Sequence, residues 1–100
     1  MEKMEKNEEN LRLHFQNELG EIYWKDIEVF FASGSVIEVS RDLSLVDAAV
    51  SFSLDDAQSV QKWIDEGLVG KLSDAKAVKL ADENARIQAL VSKPFVLIQI

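Results

Sequence analysis

The stretch SVQKWIDEGLVGKL, Ser59–Leu72, decides how the middle of this chain folds. Val60, Trp63 and Ile64 fall at the three- and four-residue spacing of one helix face, and Ala57 extends that face one turn back. Gly67 offers the left-handed backbone that ends a helix, and Leu68 can then fold back on Trp63 or Ile64. LVGKL follows as a short strand weakened by Gly70. A helix with its indole turned inward, followed at once by a strand, predicts a domain of mixed α and β structure with Trp63 in its core.

Working outward, two helix-start signals stand nine residues apart. Ser44 is followed three residues on by Asp47, and Ser53 by Asp56, so two short helices are expected, each capped by its serine. Val46, Ala49 and Val50 form the inner face of the first. Before them SVIEVS, Ser35–Ser40, is short, β-branched and bounded by Gly34 and Arg41–Asp42, which predicts a strand. Trp24–Ala32 reads as a helix with Trp24, Ile27, Phe30 and Phe31 apolar, ended at Gly34. From Asn10 onward Leu11, Phe15, Leu19 and Ile22 share a helical face, with Gly20 as a stop or kink. Residues 1–9 are charged and predicted to fray, leaving 10–100 as a single globular domain.

Downstream, Ser73 or Asp74 caps a last helix that runs to about Asp82 or Glu83. IQALV and FVLIQI are strand material on either side of Lys93–Pro94. A bend or a longer strand with a break is expected there, not a tight hairpin, because two-residue hairpin turns favour positive φ. The final run is apolar on both faces, which suits a strand covered on both sides. The fold class is α+β: about five short helices packed on a small mixed sheet formed by 35–40, 87–92 and 95–100. The expected core is Leu11, Phe15, Ile27, Phe30, Val46, Val50, Val60, Trp63, Ile64, Val96 and Ile98.

The composition fits one globular domain: 47% of the 100 residues are hydrophobic, enough for a core, and 29% are charged. The absence of cysteine removes disulfides and thiolate chemistry. The net charge of −7 is uneven: residues 1–57 carry five basic and thirteen acidic side chains, residues 58–100 six and five. An acidic first half repels phosphate backbones, and the nearly neutral second half is the better place for a partner. MEKMEKNEEN has no apolar run of a signal peptide and FVLIQI is too short to span a bilayer, so a soluble cytoplasmic protein without membrane contact is expected.

Three segments, ASGSVIEVSRDLSLVDAA, DDAQSVQKWIDEG and KPFVLIQI, stand in an order and spacing that resembles the small bacterial family known as domain of unknown function 2288. The matching positions include Trp24, Gly34, Leu43, Asp56, Val60, Trp63, Gly67, Pro94 and Gln99, within a span from about Leu11 to Gln99. Where family members tend to carry tryptophan, this chain has Ile87 and Phe95, both still large and apolar. The resemblance implies a compact bacterial cytosolic domain and carries no activity with it.

A second, local resemblance runs from Leu43 to Leu72, which is similar to the winged helix-turn-helix of excisionase-like and mercury-resistance-type regulators. It would place Asp55, Asp56, Gln58, Ser59, Gln61 and Lys62 nearest a DNA groove. Charge argues against that use, since Asp55, Asp56, Asp65 and Glu66 face a single Lys62 and no arginine is present to read guanine. His14, the only histidine, has no nucleophile or second ligand in sequence reach. Asp55–Asp56 suit a helix start better than a metal. No catalytic residue, metal ligand or cofactor site is therefore assigned. The expected function is a non-enzymatic interaction or regulatory module that binds another protein, with a DNA-binding regulator using residues 43–72 as the alternative. A small-molecule enzyme is the poorer third option. Tyr23, Lys71, Lys76, Lys79, Arg86 and Lys93 are the candidate partner surface, and the apolar C-terminal strand would also allow a homodimer.

Overall fold

The structure, a computed structural model, describes residues 8–100. Its first helix, α1 (Glu8–Glu18), buries Phe15. A strand β1 (Gly20–Tyr23) and helix α2 (Trp24–Ala32) follow, then strand β2 (Val36–Val39). Helices α3 (Leu45–Ser53) and α4 (Ala57–Asp65) come next, then strand β3 (Val69–Lys71) and helix α5 (Asp74–Glu83). Strands β4 (Arg86–Ser92) and β5 (Phe95–Gln99) close the chain. The expected fraying of the first residues concerns mostly 1–7, which lie outside the described residues; Glu8 and Glu9 already belong to α1.

The strands form one five-stranded sheet in the order β1-β4-β5-β2-β3. β2 and β5 run parallel and every other neighbouring pair is antiparallel. Side chains alternate across the pleat, so each strand feeds two layers. On one face Ile37, Val39, Leu90 and Leu97 pack with Phe15 of α1 and with Leu45, Val46, Ala49 and Val50 of α3. On the other, Val36, Ile87, Ala89, Val96 and Ile98 pack with Trp24 and Ile27 of α2 and Ala77 and Leu80 of α5. The chain is thus a single α+β domain with helices on both faces of a mixed sheet. β5 sits at its centre, covered on both sides, with Leu97 and Ile98 fully buried.

Local chemistry sets the helix ends. Ser44 and Ser73 cap α3 and α5 by accepting from the backbone N–H groups of Asp47 and Lys76, each at 3.2 Å. At the end of α4, Gly67 takes φ +77°. Its N–H donates to Ile64 at 3.0 Å while the N–H of Leu68 donates to Trp63 at 2.8 Å. This paired closure is the Schellman arrangement, and it throws the chain directly into β3.

Several expectations are corrected. The apolar spacing through Leu19 and Ile22 does not prolong α1: the helix ends at Glu18 and Ile22 lies on an edge strand, facing the α2–α5 layer. The sheet gains β1, where the apolar spacing predicts helix, and the expected LVGKL strand joins it as β3 beside β2. The cap of α4 is Asp56, which accepts from the N–H of Ser59 at 3.2 Å. Ser53 instead ends α3, its hydroxyl 3.0 Å from that of Ser92. Lys93–Pro94 does make a tight hairpin, joining Ser92 and Phe95 through a cis peptide bond. Proline in cis at the third position forms its own class of reversal without positive φ.

The predicted core also shifts. Phe30 and Ile64 are exposed, and α4 buries no residue completely. In α2 the buried face is Trp24, Ile27 and Phe31, and Phe30 stands roughly 90° round the helix from it. α4 covers only the margin of the domain against α3 and β3, so a narrow stripe with Trp63 finds cover and Ile64 does not.

Candidate functional site

β4 is longer than its edge partner. β1 pairs Gly20–Tyr23 with Ala89–Arg86, and the chain before Gly20 belongs to α1. Leu90, Val91 and Ser92 therefore have β5 on one side and, among the described residues, no strand on the other. This unpaired stretch is the floor of a cavity of about 640 Å³. Leu11, His14, Phe15 and Glu18 of α1 form one wall, and Asp26, Ile27 and Phe30 of α2 the other. The lining is mainly apolar. Phe30 is 43% exposed and Val91 58%, so two large hydrophobic side chains open to solvent at one place.

The rim is charged. Glu18, Glu21 and Asp26 stand on one side of the balance, Lys93 on the other, with His14 beside them. Asp26 is engaged by the N–H of Tyr23 at 3.2 Å, and Glu21 faces Arg86 at 3.5 Å. His14 makes an edge contact with Phe15, ring centres 5.1 Å apart. The nearby α1–α3 contact is fixed by Arg12, which donates to Asp47 and, at 3.0 Å, to Glu8. The Asp47 hydrogen bond first, then Glu8, raises the Arg12 guanidinium above its ordinary value.

The six residues expected to form a partner surface are not brought together. Lys71 and Lys76 line one hollow with Glu38, and Lys76 and Lys79 another with Glu83. Lys76 is already matched, its Nζ lying 2.8 and 3.0 Å from the two oxygens of Glu38. Arg86 lies opposite the exposed Tyr23 at the start of β4. Lys93 follows the other end of that strand, roughly 20 Å away at the usual rise per residue. Only Lys93 belongs to the groove. Sequence reading missed the groove itself; its one trace was an apolar residue, Phe30, off the main stripe of its helix.

In the segment that resembles a winged helix-turn-helix, α3 and α4 pack against each other, and β3 pairs with β2 in the central sheet. The outer side of α4 exposes Gln58, Gln61, Lys62, Asp65 and Glu66. Among the described residues no group of three or more histidine, aspartate or glutamate side chains is placed to hold a metal ion. No helix among them is long and apolar enough to cross a membrane.

The fold and groove define an α+β protein with a mixed sheet covered on both faces and one edge left partly open. The sequence profile described as a protein of unknown function (DUF2288) matches residues 10–100, and the chain belongs to that family. It is similar in structure to the NMR solution structure of PA1075 from Pseudomonas aeruginosa, with a TM-score of 0.78 and 27% sequence identity. That likeness covers 99% of this chain and 92% of the other. No curated protein matches the chain in sequence.

Proposed function

We propose that the protein is a non-enzymatic interaction module that binds another protein through the groove between α1 and α2. The observation that carries this reading is that Phe30 and Val91, both exposed, line one groove whose floor is the unpaired stretch of β4. Large apolar side chains gathered at a concave site mark a contact surface more often than scattered ones do. The likeness to a Pseudomonas protein supports a bacterial setting. A cytoplasmic location is part of the same proposal and is checked by cell fractionation.

The test is paired affinity capture from the native host with the natural chain and with Phe30→Asp. The reading expects a stoichiometric protein on the natural bait that is lost from the variant, while both baits melt alike. Equal recovery on both baits overturns it. The competing use of residues 43–72 on DNA is tested by titrating a labelled duplex at several salt concentrations. The exposed acids of α4 outnumber Lys62, so no measurable binding is expected, and binding that weakens steeply with salt would favour the regulator.

A further inference from the structure

Resting on that reading, we infer that the partner enters the groove as an extended segment of about three apolar residues that joins the sheet beside Leu90–Ser92, with lysine or arginine at the end abutting Gly20.

The shape argument comes from the backbone. β4 and β5 are paired through Ser92 and Phe95, yet β1 accompanies β4 only as far as Ala89. A strand edge left in this state presents unpaired N–H and C=O groups, the template for adding another strand. The gap is three residues long and ends where the hairpin turn begins, which limits the added segment to a short one. Side chains of an added strand would alternate between the two walls, toward Phe15 of α1 and toward Phe30 of α2. Both walls are apolar at depth, so the inserted residues are apolar on both sides.

Charge selects the flank. Glu18 precedes Gly20 by two residues and has no ion-pair partner among the described residues, and Glu21 follows it with only a long contact to Arg86. Asp26 adds a third carboxylate to the rim. Among the described residues that line the groove the single opposing cation is Lys93, past the far end of the gap. A basic residue is therefore favoured at the Gly20 end. The same balance disfavours a second copy of this chain, whose net charge is −7.

The experiment is a titration of the uniformly ¹⁵N-labelled full chain with short capped peptides, followed by amide NMR. The probes are Val-Ile-Val-Lys-Arg and Arg-Lys-Val-Ile-Val, covering both strand directions, with Val-Ile-Val-Glu-Glu as the acidic control. Backbone N-methylated forms of the two basic peptides complete the set. Saturable shifts centred on Leu90–Lys93 and Gly20 are expected from one basic peptide, weakening with salt. The acidic and N-methylated peptides should leave those amides in place. Glu18→Lys with Glu21→Lys should weaken the basic peptide by about five- to tenfold, the weight of two partly exposed ion pairs. Shifts elsewhere, equal binding of the acidic peptide, undiminished binding of the N-methylated form, or no saturable shift overturn the inference. The capture experiment separates this failure from that of the wider reading. A partner still lost with Phe30→Asp would leave the groove as an interaction site for some other chemistry.

Discussion

Gln99 Nε2 donates to the carbonyl oxygen of Leu43 at 2.7 Å and also to that of Ser40 at 2.9 Å. One side-chain amide at the end of the central strand thus holds the loop that delivers α3 to the sheet. The N–H of Leu43 closes the same turn on Ser40 at 3.1 Å. Replacing the amide by an apolar group strips the partly buried Leu43 carbonyl of this donor and leaves Ser40 only the N–H of Leu43, so Gln99→Leu should cost about 1–3 kcal/mol in denaturant unfolding. Gln99→Glu should cost more at neutral pH, because a carboxylate would face two carbonyl oxygens. That arrangement raises the folded-state pKa of the new carboxyl. The penalty is therefore full above that pKa and shrinks as pH falls and the acid regains a proton to donate. A neutral-pH melting temperature equal to that of the natural chain for both variants would show that the loop is held by other means.

The two tryptophans should respond differently. Trp24 is buried, packed 5.6 Å ring to ring against Phe31, and its Nε1 has no acceptor among the described residues. Trp24→Ala should cost about 3–5 kcal/mol, as large aromatic truncations in cores do. Trp24→Phe removes an unpaired donor whose burial costs about 1–3 kcal/mol, and that offsets much of the lost packing. Trp63 is only half-buried, at the edge of the α1–α3 layer, so Trp63→Ala should cost less than Trp24→Ala. Lys62→Ala, on the exposed side of the same helix, should stay within about half a kcal/mol. Urea unfolding of the four variants checks the order, and a cost for Trp24→Phe as large as for Trp24→Ala would contradict it.

Gly67 provides a cleaner backbone test. A Cβ added there meets nothing within 4 Å among the described residues, so space is not the obstacle. The obstacle is φ +77°, which an L-residue adopts at a cost. Gly67→Ala should destabilise by about 1–2 kcal/mol, while Gly67→Asn, which tolerates the left-handed region, should lose less. Asn84 already fills the equivalent place after α5 at φ 41°. Thermal melts that rank alanine above asparagine would refute the argument.

These positions show what could be read from the chain. Gly67 with Leu68, and the cap Ser44, are local: backbone geometry within a few residues decides them, and they stood in the sequence as they stand in the fold, while the choice between Ser73 and Asp74 as the cap of α5 falls to Ser73. Ser53 and Asp56 carried the same signal as Ser44 and Asp47, yet Ser92, thirty-nine residues later, takes the hydroxyl of Ser53. β1 was hidden because Ile22 continued the helical spacing of Leu11, Phe15 and Leu19, and only its pairing with Ile87 makes it a strand. The groove was invisible for the same reason. It exists where β1 fails to follow β4, a mismatch in length between segments more than sixty residues apart in the chain. The six candidate surface residues were grouped by charge along the sequence, whereas the extended strand β4 holds Arg86 at its start apart from Lys93 just past its end.

That open stretch of β4 also carries a liability that can be measured. Val91 is 58% exposed on a strand edge, where natural sheets tend to place a charge or a covering element. Lys93 and Pro94 guard only the turn that follows. Val91→Lys removes an exposed apolar group and puts a cation on the sheet face that α2 covers, on a rim that carries Asp26, so the folded state should change by less than about half a kcal/mol. Its effect should appear instead in self-association on heating. Light scattering during a thermal ramp should rise later and less for Val91→Lys than for the natural chain, because the edge no longer offers a flat apolar template. Val91→Ala keeps the edge uncharged and should fall between the two. If all three scatter alike, the unpaired edge is not where aggregation begins and another surface must nucleate it.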